Sequence, residues 1–188
     1  MPDRLSSTKI IFIALLFVAG AVIPFSPVKY VVEPASFTLA CHTPIFIAMF
    51  ISPLAALTVA AGTTLGFVIG DFPAVIILRA ASHGIFALLG AWYLQYQPGI
   101  LASFFRAQLF SLVIGIIHAW CEVTVVCFFY MDDNTSGAFT SVPSILLLVG
   151  LCGLAHSMID FALALAALKL LAASKKLAPI FVAGKSPE

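Results

Sequence analysis

From residue 34 to residue 70 the chain runs without a single Asp, Glu, Lys or Arg. A stretch of that length cannot be turned to water along its whole course, and it sets the class of the molecule. The same bias holds across all 188 residues, which are 62% hydrophobic and 9% charged, with a mean hydropathy of +1.15. A soluble domain dresses its surface with about 25% charged residues. Nine basic and eight acidic side chains leave too little charge for a water-soluble globule, a disordered chain or a nucleic-acid binder. A net charge of +1 offers nothing to an anionic polymer. The expectation is an all-α integral membrane protein whose solvent is the lipid bilayer.

A helix needs about 20 apolar residues to cross a hydrocarbon core of about 30 Å. Prolines and charges divide this chain into six such pieces, near residues 10–25, 35–51, 53–70, 73–94, 105–130 and 143–173. The break between the second and third falls at Ser52-Pro53, because proline disfavours helix in the residue before it. The start, Met1 to Lys9 followed by the apolar run Ile10 to Pro24, resembles a secretory signal with Ala19-Gly20-Ala21 as its cleavage site, but the rest of the chain is equally apolar, so a retained first helix is expected. With six spans, Arg4, Lys9, Arg106, Lys169, Lys175, Lys176 and Lys185 fall on one side. Lys29 stands opposite with Glu33, Asp71, Asp132 and Asp133. The positive-inside rule then places both termini in the cytoplasm. One bundle and one domain are expected.

Ionisable groups at membrane depth are costly and are site candidates by default. Here most of them come in pairs spaced by four: Arg79 with His83, His118 with Glu122, His156 with Asp160. That spacing puts both members of a pair on one helix face. Three polar stripes on three apolar helices are best hidden by turning them to a common interior. Counting 1.5 Å per residue from the outer ends, Arg79, His83, Glu122 and His118 lie roughly 9 to 18 Å in. His156 and Asp160 come out deeper, at about 20 and 26 Å, beneath a pocket that opens outward. A lone intramembrane histidine, His42, reads as a packing residue. The four cysteines (Cys41, Cys121, Cys127 and Cys152) lie in apolar runs without CxxC spacing and read as small hydrophobes, with no zinc site and no disulfide framework. Gly62, Gly66 and Gly70 make a ribbon of small residues suited to close helix packing within the bundle or against a partner. The loop between the first two spans, with Lys29, Tyr30 and Glu33, is a lid candidate above the pocket. No GxxxxGK[ST], HExxH or GxSxG motif occurs, so the chain has no P-loop of its own, and no recognisable nucleophile setting suggests an enzyme.

Residues 36–94, SFTLACHTPIFIAMFISPLAALTVAAGTTLGFVIGDFPAVIILRAASHGIFALLGAWYL, resemble the membrane-embedded substrate-binding S subunits of energy-coupling factor (ECF) vitamin transporters, most of all the niacin type. The resemblance implies a vitamin binder with its pocket near the outer face, built by the fourth to sixth helices and the loop between the first two. It implies a cell-membrane location in bacteria, and partnership with a transmembrane coupling subunit and two ATPase subunits, which would supply the energy. Docking on the coupling subunit uses the first three helices in that family, often through an AxxxA pattern on the first. This chain departs from the pattern, since Ala14 is followed four on by Val18, which leaves the docking surface open or shifts part of it to the glycine ribbon.

With that resemblance, the expected ligand is a small carboxylated vitamin, nicotinate, and no cofactor or metal is expected. Arg79 is expected to hold the carboxylate through parallel guanidinium donors. His83, His118 and His156 are expected to hydrogen-bond polar atoms, Glu122 to orient Arg79, and Trp120 to stack on the ring. The rival readings are a divalent-metal binding or transport subunit using the histidines and carboxylates, and a proton-coupled solo carrier. Arg79 argues against the metal reading, because a fixed cation repels an ion bound beside it.

Overall fold

The computed structural model describes residues 6–32, 35–97, 99–100, 103–130 and 141–181. Glu33, Arg4, Lys185 and the acidic turn with Asp132 and Asp133 lie outside the described residues. The elements run α1 (Ser7–Val22), β1 (Lys29–Val32), β2 (Ala35–Thr38), α2 (Thr43–Met49), α3 (Pro53–Ile69), α4 (Ala74–Tyr96), α5 (Phe104–Tyr130) and α6 (Val142–Ala172). Among the described residues, four helical stretches are long and apolar enough to cross a membrane: Ser7–Phe25, Ala74–Tyr96, Phe104–Tyr130 and Val142–Ala172. The shorter α3, Pro53–Ile69, is equally apolar. The molecule is an all-α membrane protein carrying one small hairpin.

The second expected span is where sequence and structure part. Residues 35–51 do not form one helix. They run as strand β2, a turn, and the seven-residue α2. The reason is local: Pro44 has no N–H to donate and its ring disfavours helix in the preceding Thr43, so it suits the first turn of a helix and cannot lie inside one. Upstream of it, Ser36-Phe37-Thr38 pairs antiparallel with β1, with Tyr30 opposite Phe37 and Lys29 opposite Thr38. At 1.5 Å per residue α2 is only about 10 Å long, a third of the hydrocarbon core. Its residues Pro44 to Met49 are all buried, so it is a plug in the middle of the bundle and not a wall of it.

Around that plug, α3 packs between α1 and α4, α4 packs on α5, and α5 packs on α6. One apolar cluster surrounds α2 with Phe46, Phe50, Phe86, Phe161 and Met49. A second, beneath the hairpin, gathers Ala35, Phe67, Ile76, Val126, Ile145 and Val149. Facing outward are Ile11, Leu15, Val18, Trp120, Phe128 and Leu170, each more than half exposed. An apolar belt of this extent is intolerable in water and ordinary in lipid.

The glycine ribbon is used inside the bundle. A Cβ on Gly66 would run into the backbone carbonyl of Ala21, and one on Gly62 into the Phe17 ring. Absent side chains let α1 and α3 touch backbone to backbone. At its C-terminus α3 ends in a Schellman turn. Phe72 N–H donates to Phe67 O at 3.2 Å and Asp71 N–H to Val68 O at 3.1 Å, with Asp71 left-handed at φ 52°. Phe67 and Phe72 close the turn edge to face, their centroids 4.9 Å apart.

Three stability outcomes follow from these contacts. Gly66→Ala should destabilise the detergent-solubilised protein by about 1–3 kcal/mol, the usual range for overpacking, visible as a lower thermal midpoint. Gly84→Ala, whose Cβ would meet only the tip of the Leu57 side chain, Cδ1, at 3.2 Å, should lower it far less. Asp71→Gly should raise the midpoint, by up to about 1 kcal/mol in stability, because glycine takes the left-handed conformation without penalty.

Candidate functional site

Between the two apolar clusters lies a buried polar layer. Its centre is Glu122 on α5. Arg79, one face-pair up from His83 on α4, donates from Nη2 to Glu122 Oε2 at 3.0 Å. His83 donates from Nε2 to Glu122 Oε1 at 3.1 Å. His118, one turn before Glu122 on the same helix, brings Nε2 within 3.5 Å of Oε1, too poorly directed for a hydrogen bond. Arg79 is 4% and Glu122 5% exposed. Removing one partner of such a buried pair typically costs 3–5 kcal/mol, up to about half the stability of an ordinary domain.

The second carboxylate is Asp160 on α6, fully buried. It reaches the turn before α2. Its Oδ1 accepts from Ala40 N–H at 3.0 Å, and its Oδ2 from His42 N–H and from the His42 ring Nδ1, both at 2.9 Å. Asp160 thus satisfies backbone donors that the start of a helix leaves orphaned, from a different helix. Ala40 sits at φ 64°, a conformation that costs a non-glycine residue about 1 kcal/mol or more and is held here by those bonds. Around Asp160 stand His156 Nε2 at 3.5 Å and Cys41 Sγ at 3.8 Å.

His42 joins the two halves. Its ring centroid lies 4.7 Å from that of His83, 4.5 Å from His118 and 5.2 Å from His156. Next to these rings is a cavity of about 20 Å³ lined by Ser36 and Phe37 of the hairpin, by Cys41 and His42, and by Arg79, His83, His118, Glu122 and His156. That is room for about one water. His83 Nδ1, His118 Nδ1 and the hydroxyl of Ser157 have no hydrogen-bond partner among the described residues, so buried capacity to bind a polar ligand is left over.

Five of the six residues expected at the site, Arg79, His83, His118, Glu122 and His156, line this one cavity. Trp120 does not. It is 72% exposed on the outer side of α5, two residues from Glu122 and therefore on the opposite helix face, where it meets lipid. Of the lid candidates, Lys29 and Tyr30 fall on β1, and Glu33 lies outside the described residues. Tyr30 points away, 69% exposed, and Lys29 places its Nζ 5.1 Å above the Phe72 ring, pinning β1 to the α3–α4 turn. It is Ser36 and Phe37 of β2 that close the cavity, Phe37 meeting His156 edge to face at 5.6 Å. Asp160 does not line the cavity itself but holds Cys41 and His42, which do. His42 and Cys41, read as packing residues, stand at the centre. The signal was present, since His42 is an ionisable group in the longest charge-free stretch of the chain.

No family model matches the chain, and no solved structure matches it. Among curated proteins, the niacin transporter NiaX of Lactococcus lactis subsp. cremoris (strain MG1363) is 43% identical to it over 158 residues, spanning 84% of this chain and 71% of that protein. That relative is a transporter and not an enzyme. Identity at this level over most of both chains, on top of the polar layer just described, places the molecule: it belongs to the niacin-type S subunits of ECF vitamin transporters.

Proposed function

We propose that this chain captures nicotinate from outside the cell and presents it for ATP-driven uptake together with a transmembrane coupling subunit and two ATPases. The observation that carries the reading is the buried Arg79–Glu122 pair, flanked by histidines with unused hydrogen-bonding atoms, in a relative of a niacin transporter. Arg79 receives the carboxylate, for which a guanidinium is the best-matched cation. Glu122 holds Arg79 in place while the site is empty of ligand. His83 and His118 take the polar edge of the ring, and His156 borders the cavity on the hairpin side. Phe37, not Trp120, is the aromatic that covers the ring.

A volume of about 20 Å³ cannot hold a pyridine ring with its carboxylate, so entry requires the β1–β2 hairpin to lift. Two four-residue strands, with Tyr30 exposed, are held down chiefly by Ala35, Phe37 and the Lys29–Phe72 contact, a small set of interactions for a moving lid. In this reading the hairpin lies on the outer face. The bundle has six membrane segments in the plasma membrane, with α2 and β2 together filling the place of the second, and both termini are cytoplasmic. The covered glycine ribbon leaves the coupling subunit to dock on other apolar surface, such as the outward row Ile11, Leu15, Val18 and Val22 of α1.

The main rival, a divalent ion among His83, His118, Glu122, His156 and Asp160, is disfavoured by Arg79 Nη2 at 3.0 Å from the Glu122 carboxylate and by the Ala40 and His42 N–H groups that already occupy Asp160. Arg79→Ala should weaken nicotinate binding by more than about 100-fold, the loss of roughly 3 kcal/mol of charge-assisted hydrogen bonding, measured by calorimetry in detergent. Because that change strands Glu122, the charge-balanced Arg79→Gln/Glu122→Gln variant is the companion: it should remain monodisperse and still not bind. Unchanged affinity in either variant removes Arg79 from the site. In proteoliposomes the chain alone should bind nicotinate without accumulating it, and accumulation should need the partner subunits and ATP. Uptake by the chain alone, driven by a pH step, would establish the solo carrier instead.

A further inference from the structure

A second cavity, a groove of about 550 Å³, lies between α4 and α5 near their connection. On α5 the residues Arg106, Leu109, Val113 and Ile117 line it, at the three- and four-residue steps of one helix face. On α4 the facing wall runs from Leu89 to Gln97, with the Tyr93 ring stacked along Phe110 of α5 at 5.8 Å. Polarity is graded along the groove. Gln97 and Arg106 stand at the end near the connection, the half-exposed rings of Trp92 and Tyr93 come next, and aliphatic side chains make up the far end. Arg106 and Ile117 are 11 residues apart, or about 16 Å along the helix, which is half of a hydrocarbon core of about 30 Å. The groove therefore has the depth of one leaflet. A partner helix crossing the membrane would run twice that distance.

We propose that this groove is a binding site for one anionic glycerophospholipid, its phosphate on Arg106 and an acyl chain laid along Leu109, Val113 and Ile117. A void of this size in a bilayer does not stand empty, because its walls would forfeit the dispersion contacts that a neighbouring hydrocarbon chain restores. What selects the lipid is charge. Arg106 is the one charged residue lining the groove, and among the described residues no carboxylate stands within ion-pair distance of it. It sits in the first turn of α5, which carries no acidic residue and whose free N–H groups favour an anion. A guanidinium takes a phosphate through paired donors. Zwitterionic headgroups gain less, because their ammonium finds no acid here to receive it. The aromatic pair Trp92 and Tyr93 falls at the level of the lipid's glycerol and esters, where amphipathic rings are most at home. In the topology read above, the leaflet is the cytoplasmic one. Because α3 packs between α1 and α4, the groove lies away from the outward row of α1, so lipid and coupling subunit do not compete for one surface.

This inference goes beyond nicotinate capture and stands or falls separately from it. The chain has two tryptophans, Trp92 in the groove and Trp120 on the outer side of α5, so each can report alone. The test puts the full chain, as Trp120→Phe or as Trp92→Phe, into bilayers of phosphatidylcholine with a rising share of phosphatidylglycerol, one of the two brominated on its acyl chains to quench fluorescence. At Trp92, phosphatidylglycerol should be preferred over phosphatidylcholine by about fivefold, the worth of one arginine at a membrane surface. At Trp120 the two lipids should quench alike. Arg106→Gln, an exposed change that should leave the elution volume and helical content as they are, should bring the preference at Trp92 down to that at Trp120. Lys169→Gln, which removes an exposed positive charge from α6, should not. Equal quenching by the two lipids at Trp92, an equal preference at both tryptophans, or a preference that survives Arg106→Gln would each overturn the proposal. So would a Trp92 that neither lipid quenches, the sign of a groove filled by a second copy of the chain, or release of the brominated phosphatidylglycerol by inorganic phosphate but not by equal ionic strength of chloride, the sign of a site for the free anion.

Discussion

Two carboxylates buried in an apolar bundle govern this structure. Neither Glu122 nor Asp160 can be left alone at that depth, because an unpaired charge in such a medium is far more costly than any single packing defect. Each is satisfied by groups from a different part of the chain. Glu122 on α5 is met by Arg79 and His83 from α4. Asp160 on α6 is met by the backbone and ring of His42 at the head of α2. Interactions of this kind dictate register as well as contact, since a helix rotated by one residue would bury a carboxylate against Leu or Phe.

The short α2 makes the most of that constraint. Seven residues are too few to hold a helix by propensity, and this one is kept by being apolar on every side and by having its first donors satisfied from α6. Because it stops far short of the bilayer thickness, the upper part of the bundle has no second helix there, and the hairpin lies in the gap. The cavity exists for the same reason. Where a continuous helix would have filled the interior with side chains, a turn and two strands leave space beside Arg79, and Ser36 and Phe37 close it from above.

Much of the site was legible because intramembrane ionisable groups carry so much information. The i, i+4 pairs on three helices pointed inward for lack of any other tolerable place, and Arg79, His83, His118, Glu122 and His156 meet as that spacing requires. Trp120 stands apart from the cavity because nearness in sequence to Glu122 is not nearness in space: two residues along a helix is more than half a turn, and the ring is exposed on the outer side of α5. His42 and Cys41 were undervalued because they belong to no pair on their own segment. Their partner, Asp160, lies 118 residues away from His42, and only folding reveals it.

Sequence alone determined the solvent, the helical class and the identity of the buried charges, since each follows from composition and from a 3.6-residue period that any apolar helix must obey. Tertiary structure decided which of those charges face which. It also decided that residues 35–51 divide into a strand and a plug, and that the turn at Cys41 and His42 sits at the heart of the polar layer. The reason is physical: hydrophobic burial is a property of single residues and can be read one at a time, whereas satisfying a buried carboxylate takes partners from distant segments whose approach only the packed bundle settles.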